Sequence, residues 1–134
     1  MSRRILYMAH PVGGDVPGNV RRALDWLASL RRSEPNVTII APWLASLASG
    51  ENDADPVARE RGMIDCETVV ARCDGLILVG GRISAGMQRE LAAAVAADID
   101  VDDLTKLGTV APHGTHRALL DSNLKTKRGS TGRL

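Results

Sequence analysis

Glu90 closes a seven-residue stretch, Ser84-Ala85-Gly86-Met87-Gln88-Arg89-Glu90, whose residue types and spacing suit chemistry at a sugar. On a helix started by Ser84, free backbone N–H groups and the positive end of the helix dipole would receive an anion such as phosphate, with the Ser84 hydroxyl beside them. Glu90 lies one turn below Gly86, and helical side chains lean toward the N-terminus. The missing side chain at Gly86 therefore leaves room above the carboxylate. A sugar in that gap would set its carbon beside Glu90 while its phosphate rests on the helix start. The same spacing also describes a solvated helix glutamate behind a plain serine cap.

A second group of polar residues follows an early apolar run. Tyr7 lies inside Ile5-Leu6-Tyr7-Met8-Ala9, and His10-Pro11-Val12-Gly13-Gly14-Asp15 ends that run in a Gly-rich loop, with Asn19 shortly after. The Tyr7 ring could reach a crevice floor or serve as a core aromatic. His10 could donate to a phosphate or a base, or simply face water. His113-x-x-His116 has helical metal-ligand spacing, but a site needs three or four ligands and no Cys or carboxylate partner is obvious, so no metal is expected. Cys66 and Cys73 sit about two helical turns apart, too far to bridge, and read as reduced thiols.

The elements that would position these groups alternate. Ile5–Ala9 reads as a buried strand. A helix started by Pro17 or Asn19 follows, with Val20, Ala23, Leu24, Leu27 and Leu30 inward and Trp26 only partly packed. Val37 to Ile40 reads as the second strand, and Trp43 to Pro56 as a long loop able to cover a pocket. Asp55-Pro56 opens a helix through Cys73 with Met63, Cys66, Val70 and Cys73 on one stripe. Leu76 to Val79 is the third strand. Ser84 caps a helix to about Ala97 with Met87, Leu91, Ala94 and Val95 inward, and a fourth strand is placed near Ile99 to Leu104. This order predicts an α/β fold: a single-domain, doubly wound parallel sheet of four to five strands, flavodoxin- or Rossmann-like, with right-handed crossovers. Its ligand crevice lies beyond the carboxyl ends of the strands, where strand order reverses.

Composition narrows the classes. The 134 residues suit one domain, read as residues 1–109 followed by a basic, flexible tail at 110–134; from Thr105 onward Lys106, Arg117, Lys125, Lys127, Arg128 and Arg133 face only Asp121. With Tyr7, Trp26 and Trp43 as the only aromatics, Leu, Val, Ile and Ala must fill the core. A net charge of +1 argues against a nucleic-acid polymer as partner, and no stretch is apolar enough for a membrane. Ser2-Arg3-Arg4 lacks the hydrophobic region of an export signal, so the expected location is cytoplasmic.

Taken together, Leu6-Tyr7, the Gly-rich loop, Cys73-Asp74-Gly75 and Ser84-x-Gly86-x-x-x-Glu90 resemble the nucleoside 2-deoxyribosyltransferase superfamily over about residues 5 to 97. That superfamily includes deoxynucleoside 5′-monophosphate N-glycosidases. Ala9 to Asp15 with Asn19, and Ile40-Ala41-Pro42-Trp43, look most like an uncharacterised phage and bacterial branch. The resemblance implies an N-glycosidic bond hydrolase or transferase acting on a nucleoside 5′-monophosphate or (deoxy)nucleoside, without a cofactor. Glu90 would attack the anomeric carbon, Tyr7 would hold Glu90, and Ser84 with Gly86 would take the phosphate. His10, Gly13, Gly14, Asn19 and Asp74 would complete the substrate site. The family's catalytic aspartate falls at Cys66. Asp65 could replace it only if the helix is locally rewound, since one residue turns a side chain by about 100°. Relatives also complete the site from a neighbouring subunit, implying a homodimer or larger assembly, with His113, His116 and Asn123 as candidates by composition. Three alternatives remain open on sequence: a phosphoribohydrolase resembling the cytokinin-activating enzymes, a non-catalytic nucleotide-binding module with the same crevice, and a structural flavodoxin-like domain.

Overall fold

A computed structural model describes residues 2–50, 54–113 and 118–120. Four strands, β1 (Ile5–Ala9), β2 (Thr38–Ile40), β3 (Gly75–Leu78) and β4 (Asp100–Asp103), form one sheet in the order β2-β1-β3-β4, with every pair parallel. Four α-helices connect and cover them: α1 (Val16–Ser33), α2 (Pro42–Ala48), α3 (Pro56–Arg72) and α4 (Ala85–Ala96). This is the doubly wound parallel sheet read from the sequence. From β1 the chain steps to β2 on one side and later to β3 on the other, so strand order reverses between β1 and β3. Their carboxyl ends open the crevice.

The central strands are apolar because both faces are covered. In β1 the side chains from Leu6 to Ala9 are fully buried, and Leu76, Ile77 and Leu78 of β3 pack beside them, with Tyr7 in register with Leu76. β4 is an edge strand whose residues alternate between half-buried and exposed, which accommodates its aspartates and guards the edge with charge. Asp100 there pairs with Arg4 at 3.2 Å.

Helix starts follow side-chain chemistry. The Asp15 carboxylate accepts from Gly18 N–H at the start of α1, and Asp55 accepts from Val57 N–H ahead of α3. Pro17 and Pro56 occupy first-turn positions, where no helical N–H is needed.

Several faces differ from the periodic reading. The buried stripe of α1 is Asn19, Ala23, Trp26, Leu30 and Ser33, whereas Leu24 is half exposed. Trp26 is fully buried, its indole N–H donating to the Thr109 carbonyl, and this large side chain sets the helix rotation. On α4 the inward position expected of Val95 belongs to Glu90, and Val95 is 68% exposed. The segment expected as a loop from Trp43 begins instead as α2, started by Pro42 and anchored by Trp43, whose indole N–H donates to the Met8 carbonyl at 2.9 Å.

The packed structure also continues past residue 109. Ala111 and Leu120 are buried, Ser29 donates to the Pro112 carbonyl, and the Glu34 carboxylate accepts from the backbone N–H groups of Leu119 and Leu120. The described part of the segment beyond 109 is thus tied along α1. The remaining basic stretch lies outside the described residues.

Candidate active site

A cavity of about 510 Å³ opens beyond the carboxyl ends of β1 and β3. The loop after β1, α2, α3, the loop after β3 and the start of α4 each contribute wall. Gly80 lets the two strand-end loops meet. It has φ +104°, and a Cβ there would stand 2.6 Å from Pro11 Cδ and 2.8 Å from the His10 ring, so only glycine fits.

Glu90 lines this cavity and is 6% exposed. The fully buried Tyr7 donates its hydroxyl hydrogen to Glu90 Oε2. Cys66, on the α3 wall, stands beside the Tyr7 hydroxyl. Burial pushes the Glu90 carboxyl up to about 7, the nearby Glu67 charge adds to this, and the Tyr7 bond opposes it. Tyr7 is pushed far above its usual value by burial and by the Glu90 charge. Burial likewise raises the Cys66 thiol, so it is neutral at pH 7. The result is one carboxyl group at the cavity floor, poised to titrate near neutrality and held by a permanent donor.

Above it, Ser84 caps α4 by accepting from Met87 N–H at 3.2 Å, which leaves its own hydroxyl hydrogen for a ligand. Gly86 lines the cavity as expected. Gly13 and Gly14 line it from the β1 loop, and two residues absent from the sequence reading, Arg59 on α3 and Arg82 on the β3 loop, add positive charge. Arg82 stands directly after Gly80-Gly81, a signal available in the sequence. Trp43, Met63 and Cys66 complete the apolar part of the wall. Met63 and Cys66 were legible as an apolar helix stripe, but not as a cavity lining.

His10 does not face water: it is 4% exposed, its ring near-parallel to Trp43 with centroids 6.5 Å apart. Nδ1 lies 2.7 Å from the Pro11 carbonyl oxygen and donates to it, so Nε2 carries the lone pair. Burial lowers the histidine's basicity, and Arg22 and Arg82 lower it further. A neutral ring with its proton committed to Pro11 does not donate to a phosphate.

Three sequence candidates fall elsewhere. Asn19 holds the loop rather than a ligand: its amide donates to the Val12 and Gly13 carbonyls, both at 3.0 Å. Asp74 precedes β3 and accepts from Ile5 N–H at 2.7 Å, at the amino ends of the strands and opposite the cavity. Asp65 is exposed and does not line the cavity, because α3 stays regular and turns Cys66 inward instead. Glu67, on the other side of Cys66, is bound by Arg89, which also grips Glu60. His113 is exposed and away from the cavity wall, whereas His116 and Asn123 lie outside the described residues.

The fold and cavity define an α/β protein with a ligand crevice at a strand-order switch point, a buried carboxyl at its floor and cationic side chains on its wall. Over residues 4–104 the sequence matches the family described as a domain of unknown function (DUF7768), and the chain belongs to that family. No curated protein matches the sequence. Among the described residues no helix is long and apolar enough to cross a membrane.

Proposed function

We propose that the protein is an N-glycosidic bond hydrolase or transferase acting on a nucleoside 5′-monophosphate or (deoxy)nucleoside, with Glu90 as the nucleophile. The observation that carries this reading is the Glu90 carboxyl itself, buried at the cavity floor, held by Tyr7 and one helical turn below Gly86. A carboxylate in that place can form a bond to the anomeric carbon as the base departs, and water or a second base then resolves the glycosyl ester. The start of α4 with Ser84, together with Arg59 and Arg82, supports a phosphate on the same ligand. A homodimer or larger assembly accompanies this reading as part of the proposal.

The test is release of free base from a panel of ribo- and deoxyribonucleosides and their 5′-monophosphates, with and without an acceptor base. Release by the native protein that disappears in Glu90→Ala is the expected result. A second reading, a nucleotide-binding module without turnover, is favoured by one feature: α3 presents the Cys66 thiol beside Tyr7 where proton delivery would call for a carboxyl group. That reading prevails if nucleotides raise the melting temperature while no base is released.

A further inference from the structure

Resting on the proposed N-glycosidic chemistry, the composition of the wall around Glu90 narrows the substrate. Cleaving a C–N bond to a neutral base leaves negative charge on the departing nitrogen unless a proton arrives with it. Among the described residues lining the cavity, Glu90 carries the only carboxyl group, and the same group cannot be the attacking carboxylate and the proton donor in one step. Its neighbours do not fill the role. Asp65 is exposed, Glu67 is bound to Arg89, and His10 has its proton on the Pro11 carbonyl. The Cys66 thiol, made less acidic by burial, is a poor donor at neutral pH.

We infer that the substrate is an N-glycoside whose ring nitrogen is already quaternised, a pyridinium or an N7-alkylated purine, so that its heterocycle departs neutral and needs no proton. A Glu90 oxygen forms a bond to the anomeric carbon, and the C–N bond breaks with its electron pair going to the ring nitrogen, cancelling the positive charge. Water then adds to the anomeric carbon, the glycosyl ester breaks, Glu90 regains its negative charge and the water's proton passes to solvent. The wall suits such a ligand. Glu90 supplies a negative charge for the cationic ring and Trp43 lines the same cavity, while Arg59 and Arg82 answer a phosphate on the same molecule.

The matched probes are 7-methylguanosine 5′-monophosphate and guanosine 5′-monophosphate, which differ by one methyl group and its charge, joined by nicotinamide mononucleotide and adenosine 5′-monophosphate. Base release by Glu90→Ala serves as the background for each. The cationic pair is expected to be cleaved with kcat/KM exceeding that of the neutral pair by about 10²–10⁴-fold, the usual contribution of a general acid. Cys66→Asp, which adds a carboxyl group to the wall, is expected to narrow the gap by raising release from guanosine 5′-monophosphate. Should that variant fail to fold, the native pH profile still decides: release from nicotinamide mononucleotide, whose pyridinium ring has no proton to lose, should rise with Glu90 ionisation and stay level to pH 9, with no descending limb. Release from the neutral pair within tenfold of the cationic pair would overturn the inference while leaving the proposed activity intact, a proton then arriving from outside the described wall. Absence of release from all four probes would overturn the inference, and the wider panel of ribo- and deoxyribonucleosides and their 5′-monophosphates then decides the proposed activity.

Discussion

A carboxyl group with 6% exposure ionises against the loss of its water, and the single bond from Tyr7 recovers only part of that loss. Glu90 accordingly moves from the usual 4.5 up to about 7. Two consequences have opposite signs. In the proposed reaction the attacking form is the carboxylate, so kcat/KM should climb about tenfold per pH unit below 7 and level off above it. Removing the Tyr7 donor in Tyr7→Phe takes away the influence that lowers the Glu90 value, so the midpoint of that profile should move to higher pH. For stability, the folded value lies above the unfolded one. The folded state is therefore at its best below pH 4.5 with respect to this group and loses stability as pH rises through about 7. The loss is on the order of 3 kcal/mol, at 1.36 kcal/mol per unit of difference. Glu90→Gln, which stays neutral, should melt above the native protein at pH 8 and close to it at pH 5. Identical melting differences at the two pH values would show that Glu90 is not the buried acid described here.

At the level of elements, the start of α4 separates packing from function. A Cβ at Gly86 would meet the Met63 side chain at 3.6 Å, an ordinary contact, and alanine is the better helix former. Gly86→Ala should therefore stabilise the fold by up to about 1 kcal/mol while narrowing the space above Glu90 and weakening nucleotide binding, as thermal melting and a binding titration would show. On the other side of the sheet, Glu34 anchors the segment at 118–120 with bonds of 2.7 and 3.0 Å. Glu34→Ala should cost about 1–3 kcal/mol and abolish hydrogen-exchange protection at the Leu119 and Leu120 amides. The strands and three of the helices were legible in the sequence because apolar runs between turn residues leave little choice for β1 and β3, and because Asp15, Asp55 and Ser84 announce helix starts. Glu90 was singled out by spacing, and its pairing with Tyr7 came from the resemblance alone. Less could be read where tertiary contacts decide. The rotation of α1 is set by a buried Trp26, and the short α2 by Trp43 reaching the Met8 carbonyl. Burial of His10 depends on Gly80 closing against it. The placement of Asp74 was readable after all: it precedes β3, and the crevice lies beyond the strand's other end.

For the whole molecule, the order β2-β1-β3-β4 puts the Gly-rich loops, the α3 wall and the start of α4 around one opening, so a ligand there bridges elements far apart in the chain. Binding should then stabilise the entire fold and not one loop, by RT ln(1 + [L]/Kd). At a hundredfold excess over Kd this is about 2.7 kcal/mol, or roughly 8 °C in Tm for a chain of this length. The Glu90→Gln variant, which lacks the proposed nucleophile, is the suitable protein, since under the proposed mechanism it does not consume the ligand during the scan. It should show the full shift with a nucleoside 5′-monophosphate and a smaller one with the parent nucleoside, because the proposed phosphate site is made of Arg59, Arg82 and the α4 N-terminus, which line the cavity. Arg82→Ala, on an exposed loop residue outside the packed core, should bring the nucleotide's shift down toward the nucleoside's without lowering the melting temperature of the free protein. Equal shifts from nucleotide and nucleoside in the Arg82-intact protein would remove the phosphate from the proposed ligand and leave the sugar and heterocycle as the groups the cavity recognises.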